Sequence, residues 1–254
     1  MKKLNKKIED LINPKLSISD MFYDQSKNAE FNTDNFTAPK TWITIHFKTY
    51  PRLPKIKFKK VISNSARDIL NRRSVRSFKK GKKSLGILNK IIYTSAGLTH
   101  YPDNLDDSRR SYPSAGARYP LEIYIISLAL EGLDRHVYHY NVKENCLEDL
   151  LVNVTNEWIL KCTGDEKWIL DSNFLVIITG VPDRSRIKYG ERGFRFMLIE
   201  AGHLAQNIII SSGFEDLVAC SLGGFIENEI ISLLDIANVK EYPLYMIIVG
   251  KEKK

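Results

Sequence analysis

The sequence predicts an α+β protein, and three observations carry that expectation. Segments with helical periodicity and short apolar runs follow one another irregularly, without the strand–helix–strand rhythm of a doubly wound sheet. Two runs, 121–128 and 173–179, are apolar almost throughout, as interior strands are. Neither Gly-x-Gly-x-x-Gly nor Gly-x-x-x-x-Gly-Lys-Ser/Thr occurs, which excludes the common nucleotide-binding α/β folds. With 254 residues, 43% apolar and 27% charged, the chain can bury about 70–75% of its unfolded surface and needs no disulfide or metal staple.

The first 60 residues read as an N-terminal extension or arm. Leu4, Ile8, Leu11 and Ile12 fall on one face of a short helix that Pro14 stops. Residues 41–47 alternate as a strand does, and Lys55-Ile-Lys-Phe-Lys59 reads as a lysine-guarded edge strand or extended arm. The remaining 61–254 read as one domain. Asn64 or Ser65 can cap a helix through Leu70. A second helix, Ser84–Leu98, gathers Leu85, Leu88, Ile91, Ile92, Ser95 and Ala96 on one face. Leu121–Leu128 forms a buried strand, and His136–Tyr140 with Cys146–Val152 forms a hairpin. A helix over 156–163 and an interior strand over 173–179 follow. The longest helix, Glu191–Ser212, is apolar at 194, 197, 198, 201, 204, 205 and 208, but also at 196, 199, 209 and 210. A helix apolar nearly all round is expected in a core or between subunits. A helix over 227–234 and a strand over 244–249 complete the chain.

Charge is lopsided. Residues 1–83 carry 21 Lys and Arg against 7 Asp and Glu, and the other 171 carry 17 against 23. A basic third of this kind suits nucleic acid, an anionic small molecule or a solvated lysine-rich face. No aromatic-interleaved basic sheet or recognition-helix pattern accompanies it, so nucleic-acid binding is not expected. No apolar run reaches the ~20 residues of a membrane span, so no membrane partner is expected. The basic start is followed by acids and a proline at 8–14, not the apolar core of a signal peptide, which predicts a cytoplasmic protein. Three cysteines without close spacing, Cys146, Cys162 and Cys220, agree with a reducing compartment.

Several chemical patterns fail. Glu200-Ala-Gly-His203 has the spacing of a di-iron helix, but no second such motif exists. His136 and His139 lie three apart in a strand, on opposite faces, which suits zinc poorly; no metal site is expected. Ser114 lacks the leading glycine of a nucleophile elbow. Others are more informative. Arg72-Arg-Ser-Val-Arg76 concentrates three guanidiniums and a hydroxyl, enough to grip one phosphate, although a solvated helix end has the same composition. Ser111-Tyr-Pro-Ser-Ala-Gly-Ala-Arg-Tyr-Pro120 makes a rigid loop of small residues that a flat ligand can approach, or an ordinary turn before the strand. Ser221-Leu-Gly-Gly-Phe225 offers backbone N–H groups before a helix, and Lys251 follows the last strand.

Together these segments resemble the flavin mononucleotide (FMN) site of the nitroreductase superfamily. Pro113–Glu122, Gly132-Leu with Tyr138-His-Tyr140, and Lys188-Tyr-Gly-Glu-Arg-Gly-Phe-Arg195 with Glu200-Ala-Gly-His203 and Gln206-Asn207 are similar to its SagB-type branch. So are Tyr23-Asp-Gln-Ser-Lys27 and Tyr50-Pro-Arg-Leu-Pro54. That branch comprises the thiazole/oxazole-forming dehydrogenases of modified peptides. The resemblance implies a nitroreductase-like fold, a mixed central sheet flanked by helices, in an intertwined homodimer. It implies that Arg72, Arg73, Ser74, Arg76 and Lys251 hold the FMN phosphate and ribityl chain. Pro113, Ser114, Ala115 and Gly116 would lie at the pyrimidine edge, and Gly223 and Gly224 near the reactive ring nitrogen. Ala117 stands where common nitroreductases carry Asn. Lys188 and Tyr189 match the Lys-Tyr pair that azoline oxidases of this family need.

The activity so implied is oxidation of thiazoline or oxazoline rings to azoles in a ribosomally made peptide, beside a cyclodehydratase complex. A proton and a hydride leave adjacent carbons, and a lysine can take the proton near neutrality only where burial or neighbouring positive charge lowers its pKa from about 10.4. Arg186 and Arg192 are near in sequence. Two alternatives stand beside this reading: an NAD(P)H-dependent nitroreductase or quinone reductase, and a non-catalytic subunit of a peptide-modifying complex.

Overall fold

The computed structural model describes residues 17–28, 48, 50–59, 66–100 and 108–253. The helix expected around 4–12, the alternating run at 41–47 and the caps Asn64 and Ser65 lie outside these residues. Alternating and wholly apolar runs build a six-stranded sheet. Its strands are β3 (Leu121–Ser127), β4 (His136–Asn141), β5 (Cys146–Asn153), β6 (Phe174–Gly180), β7 (Val218–Leu222) and β8 (Tyr242–Gly250), in the order β5-β4-β3-β6-β8-β7. Every strand pair is antiparallel, and a parallel bridge from Ser74 to Ala219 along β7 makes the sheet mixed. All seven residues of β6 are buried, as its unbroken apolar sequence predicts. A separate two-stranded ribbon joins β1 (Leu98–His100) to β2 (Arg109–Arg110).

Helices cover both faces. On one, α3 (Leu85–Ala96) and α6 (Arg192–Phe214) press Leu88, Ile91, Ile92, Met197, Leu204 and Ile208 onto Ile123, Ile125, Val176 and Ile178. On the other, α4 (Asn156–Thr163), a 3₁₀ turn at Lys167–Asp171 and α7 (Glu227–Leu233) pack Ile159, Ile169 and Ile230 onto Ile126, Leu175, Ile177 and Ile248. Each such buried side chain contributes about 1.5–3 kcal/mol relative to an exposed one. The helix boundaries have local causes. Thr155 caps α4 by accepting from the Trp158 N–H at 3.1 Å, and Gly164 closes it at φ 67°.

Helix α1 (Ile18–Ser26), the β1–β2 ribbon, helix α5 (Pro182–Tyr189) and strand β7 were not foreseen, and the last two show why. Helix α5 has no apolar stripe, and it survives by packing on α6. A Cβ on Gly193 would sit 2.7 Å from the Ser185 carbonyl carbon, so the two backbones abut there. Strand β7 is short and built of small residues, and antiparallel pairing along β8 recruits it. Near the N-terminus, α1, capped by Ser17, docks on the body. There Tyr23 stacks on Tyr242 at 4.2 Å and donates to the Pro243 carbonyl, while Glu191 accepts from the Ser19 backbone N–H at 3.0 Å.

Three sequence readings are narrowed by the structure. Residues 55–59 pair with no strand, and Ile56 and Phe58 are almost fully exposed. The helix at 67 is a short α2 (Arg67–Asn71) with no buried residue. Helix α6 is not buried all round within one chain. Leu198, Ile199, Gly202, His203 and Gln206 face outward, because the sheet and α3 cover only one side of it.

Candidate active site

The loop Ser111–Tyr119 is pinned at every turn. The Ser114 hydroxyl accepts from the Tyr119 N–H at 2.8 Å, the Ala115 N–H donates to Glu200 Oε1 at 3.0 Å, and Asn207 Nδ2 donates to the Ser111 carbonyl at 3.4 Å. The Tyr119 hydroxyl accepts from the Arg110 N–H, and its ring meets Tyr112 edge-on at 5.6 Å. These contacts hold an unusual backbone: Gly116, Ala117 and Tyr119 adopt φ of 60°, 52° and 44°. Such residues cost of order 1–3 kcal/mol each when not glycine, and persist only where surroundings over-determine them. Glu200 belongs to the buried side of α6; burial pushes its carboxyl up, against the pull of the Ala115 N–H. Its Oε2 is buried without a hydrogen-bond partner among the described residues.

The last turn of α5 places Lys188 and Tyr189 over this loop. A Cβ on Gly116 would stand 2.6 Å from Tyr189 Oη and 2.9 Å from Lys188 Nζ. A side chain at 116 would be strained at that φ and would push Tyr189 Oη and Lys188 Nζ aside, so glycine suits the position. The Lys188 ammonium lies 5.5 Å from the Tyr189 ring, which meets Phe196 edge-on at 5.0 Å. Lys188 itself is exposed and Tyr189 half-buried.

Two arginines aim that helix. Arg184 reaches Glu122 Oε1 at 2.5 Å and donates to the Tyr119 carbonyl at the end of the loop. Glu122 also holds His139 Nε2 at 3.1 Å, and His139 Nδ1 meets Glu148 at 2.7 Å. Burial works to raise the Glu122 carboxyl, but the hydrogen bonds of His139 and Arg184 outweigh it and hold it low. The same carboxylate holds His139 above its ordinary value. Arg186 grips Asp20 of α1 at 2.6 Å, 11% and 7% of the two side chains being exposed. Burial opposes ionisation of Asp20, yet its bonds from Arg186 and Tyr242 bring its pKa to about 2. Arg186, expected to act on Lys188, is thus committed to α1.

A second group of predicted residues gathers toward the C-terminal end of α6. Arg72, Arg73 and Lys251 line a cleft of about 340 Å³ with Ile209, Gly213 and Asp216. Arg72 donates to the Ser74 hydroxyl, Arg73 to the Arg72 and Leu70 carbonyls, and Lys251 Nζ to the Asp216 carbonyl. None of the three makes an ion pair among the described residues. Ser74 bridges Ala219 beside them, whereas Arg76 lies outside that cleft and acts on Cys220. Gly223 and Gly224 follow the other end of β7, since Val218 pairs with Gly250 next to Lys251 and Leu222 pairs with Met246. Pro113, Ser114 and Gly116 line a different hollow with Arg109 and Tyr119. From Glu200 to Gly213 is roughly 20 Å along the helix, at about 1.5 Å per residue. One chain therefore holds these residues in two separate groups.

The residue types fit FMN. Two guanidiniums and an ammonium that form no ion pair among the described residues suit a dianionic phosphate, and Pro113, Ser114 and Gly116 line a hollow of about 590 Å³ in which a flat ring system has room. Residues 69–251 match the model of the nitroreductase family. The chain belongs to that family. A protein of Methanocaldococcus jannaschii named as a nitroreductase is 32% identical over 186 residues, covering 72% of this chain and 89% of that one. The microcin B17-processing protein McbC of Escherichia coli is 28% identical over 137 residues, 52% of this chain and 48% of McbC, so the match spans about half of that relative. Among solved structures, a chain of the E. coli microcin synthetase McbBCD complex, with truncated pro-MccB17 bound, superposes with a TM-score of 0.74 at 22% identity, covering 95% of each chain. At that identity the likeness speaks for the nitroreductase fold.

Within this nitroreductase chain, sequence reasoning missed Arg184 and Asp20 and gave Arg186 and Glu200 other partners. A carboxylate on an otherwise apolar helix face was the available signal for Glu200, because a buried acid needs a partner. No group of three or more His, Cys, Asp or Glu among the described residues is placed to hold a metal. No described helix is long and apolar enough to cross a membrane.

Proposed function

We propose that this nitroreductase-family chain is an FMN-dependent azoline dehydrogenase of the SagB-type branch, oxidising thiazoline or oxazoline rings to azoles in a ribosomally made peptide. The carrying observation is the seating of Lys188 and Tyr189 against Gly116, two segments far apart in sequence that a proton-abstracting site needs side by side. Arg72, Arg73, Ser74, Arg76 and Lys251 would hold the FMN phosphate and ribityl chain, Pro113–Gly116 one edge of the ring system, and Gly223 and Gly224 another. FMN, when bound, supplies the two-electron acceptor, which oxygen regenerates. The protein's own part is proton management and positioning. Covered by flavin and substrate in the assembled site, the Lys188 amine takes the ring proton, the Tyr189 hydroxyl orients it or relays the proton onward, and Arg184 and Arg186 hold the helix carrying both. The two separate residue groups and the open apolar face of α6 support a homodimer in which one copy's cleft meets the other's loop. Residues 61–254 form the FMN-binding domain in this reading, with 1–60 as an extension, in a cytoplasmic protein that works beside a cyclodehydratase.

Lys188→Ala is the test. Flavin content stays at the wild-type level, while conversion of an azoline-bearing peptide, read as the loss of two hydrogens per ring by mass spectrometry, falls at least about 100-fold, as expected for a general base. Wild-type conversion by this variant overturns the base assignment. The nitroreductase named from M. jannaschii favours a second reading, reduction of a nitroaromatic or quinone. Rapid bleaching of the flavin by NAD(P)H without peptide would select it. Protein that stays colourless after incubation with FMN would indicate the non-catalytic subunit.

A further inference from the structure

The lysines at 79–83 have no part in the proposed flavin site, yet the fold collects them. Lys79, Lys80, Lys82 and Lys83 join Lys251 and Lys253 around a cleft of about 1020 Å³ whose acids are Asp171 and Glu252. Only Lys80 is neutralised, by Asp171 at 3.3 Å. Lys79, Lys82, Lys83 and Lys253 make no ion pair among the described residues. This rim is a frame and not a tail. The Lys79 N–H donates to the Lys251 carbonyl at 2.7 Å, the Lys83 N–H to the Ala129 carbonyl at 3.0 Å, and Asn173 Nδ2 to the Gly81 carbonyl at 2.6 Å. The Lys253 N–H closes the other side on the Ser77 carbonyl. The segment is thus nailed across the ends of β3, β6 and β8, and a binding partner meets lysines carried on a backbone that is already ordered. Lys251 and Glu252 line both this cleft and the one holding Arg72 and Arg73, so the two are continuous.

We propose that this lysine rim docks an acidic segment of the peptide substrate, away from the ring being oxidised. The proposal rests on the reading that the substrate is a peptide. Carboxylates on an extended chain match dispersed ammonium groups, which act as point charges without the fixed fork of arginine. Nucleic acid fits less well. The cleft's one aromatic residue, Phe78, is 2% exposed, leaving no ring on which a base can stack. Charge of this kind mainly sets encounter rate and substrate affinity, not chemistry.

The experiment measures fluorescence anisotropy of a short fluorescein-labelled Glu/Gly peptide, its Lys/Gly counterpart and a single-stranded oligonucleotide on flavin-loaded full-length protein. The variants are Lys80→Glu/Lys82→Glu/Lys83→Glu and the milder Lys82→Gln/Lys83→Gln, both away from the proposed flavin residues. The Glu/Gly peptide binds wild type and loses about tenfold in affinity in the triple variant and about threefold in the double, and binding weakens with added salt. With a substrate carrying an acidic segment, KM rises by similar factors while kcat and flavin content hold. Equal binding of the Glu/Gly peptide to all three proteins overturns the proposal, as does tighter binding of the oligonucleotide. Should Lys188→Ala leave azole formation intact while the Glu/Gly peptide still needs the rim, the catalytic reading fails and the docking surface stands.

Discussion

The two ends of α6 treat positive charge in opposite ways. Around the loop and α5, the cations Arg184 and Arg186 meet carboxylates, Glu122 and Asp20, and each carboxylate meets a further donor, His139 or Tyr242. Around the C-terminal cleft, Arg72, Arg73 and Lys251 donate to carbonyls and a hydroxyl and form no ion pair among the described residues. Satisfied charge fixes geometry, and unsatisfied charge waits for a ligand. The contrast separates residues that position the chemistry from residues that hold what the chemistry needs.

Substituting one arginine from each end breaks the comparison most directly. Arg186→Ala leaves Asp20 buried and unpaired, which costs about 3–5 kcal/mol. Urea unfolding followed by circular dichroism reads this as a lower midpoint, with flavin lost only as the protein unfolds. Arg73→Ala, on an exposed segment, changes stability by no more than about 0.5 kcal/mol but loosens FMN, seen as flavin in the flow-through of a desalting column. Equal destabilisation by the two would erase the distinction. Gly116→Ala comes next. The new methyl group collides with Tyr189 Oη and Lys188 Nζ at a backbone angle that disfavours it, and a displacement of about 1 Å in such a site costs of order 100-fold in rate. Azole formation under saturating FMN should fall by that factor with the melting temperature shifted only a few degrees.

The paired end was the harder one to read from sequence. Helix α4 and strand β6 were legible because a cap, a terminal glycine and unbroken apolar runs are local signals. Helix α5 was not: Asp183-Arg-Ser-Arg-Ile-Lys188 has no stripe to bury, and it is held by packing on α6 and by Glu122 and Asp20, some 60 and 160 residues away. Strand β7 was hidden for a similar reason, since Val218-Ala-Cys-Ser-Leu222 becomes a strand through its pairing with β8. In the site, Arg72, Arg73 and Lys251 announced themselves by composition, and Lys188 and Tyr189 by family resemblance. Glu200 was weighed only as a metal ligand because its real partner is a backbone N–H, which leaves no mark on a sequence.

Titration sharpens the comparison at smaller amplitude. Asp20 has a folded pKa of about 2 against about 3.9 unfolded, so its ionised form contributes about 2–3 kcal/mol. That contribution is complete above the unfolded value and disappears as pH falls from about 4 through 2. Glu122 and Glu191, both held low, lose theirs on the same acid limb. His139 has the opposite sign. Faced by Glu122 from β3, Glu148 from β5 and the Tyr124 ring at 5.2 Å, it is raised. Its contribution is full below about 6.5 and fades as pH climbs through the folded value, by about 1 kcal/mol for a charged hydrogen bond of this partial exposure. Midpoints of urea unfolding across pH 2 to 9 should therefore show a steep acid loss that Asp20→Asn flattens, and a shallow alkaline loss, shared with His136, which Asp149 also holds high, that His139→Gln reduces. Arg73→Ala should leave both limbs unchanged, because the cleft contributes cations with no partner to lose. An Arg73→Ala variant that altered either limb would mean the cleft is wired into the fold after all, and that the two ends of α6 are one electrostatic unit.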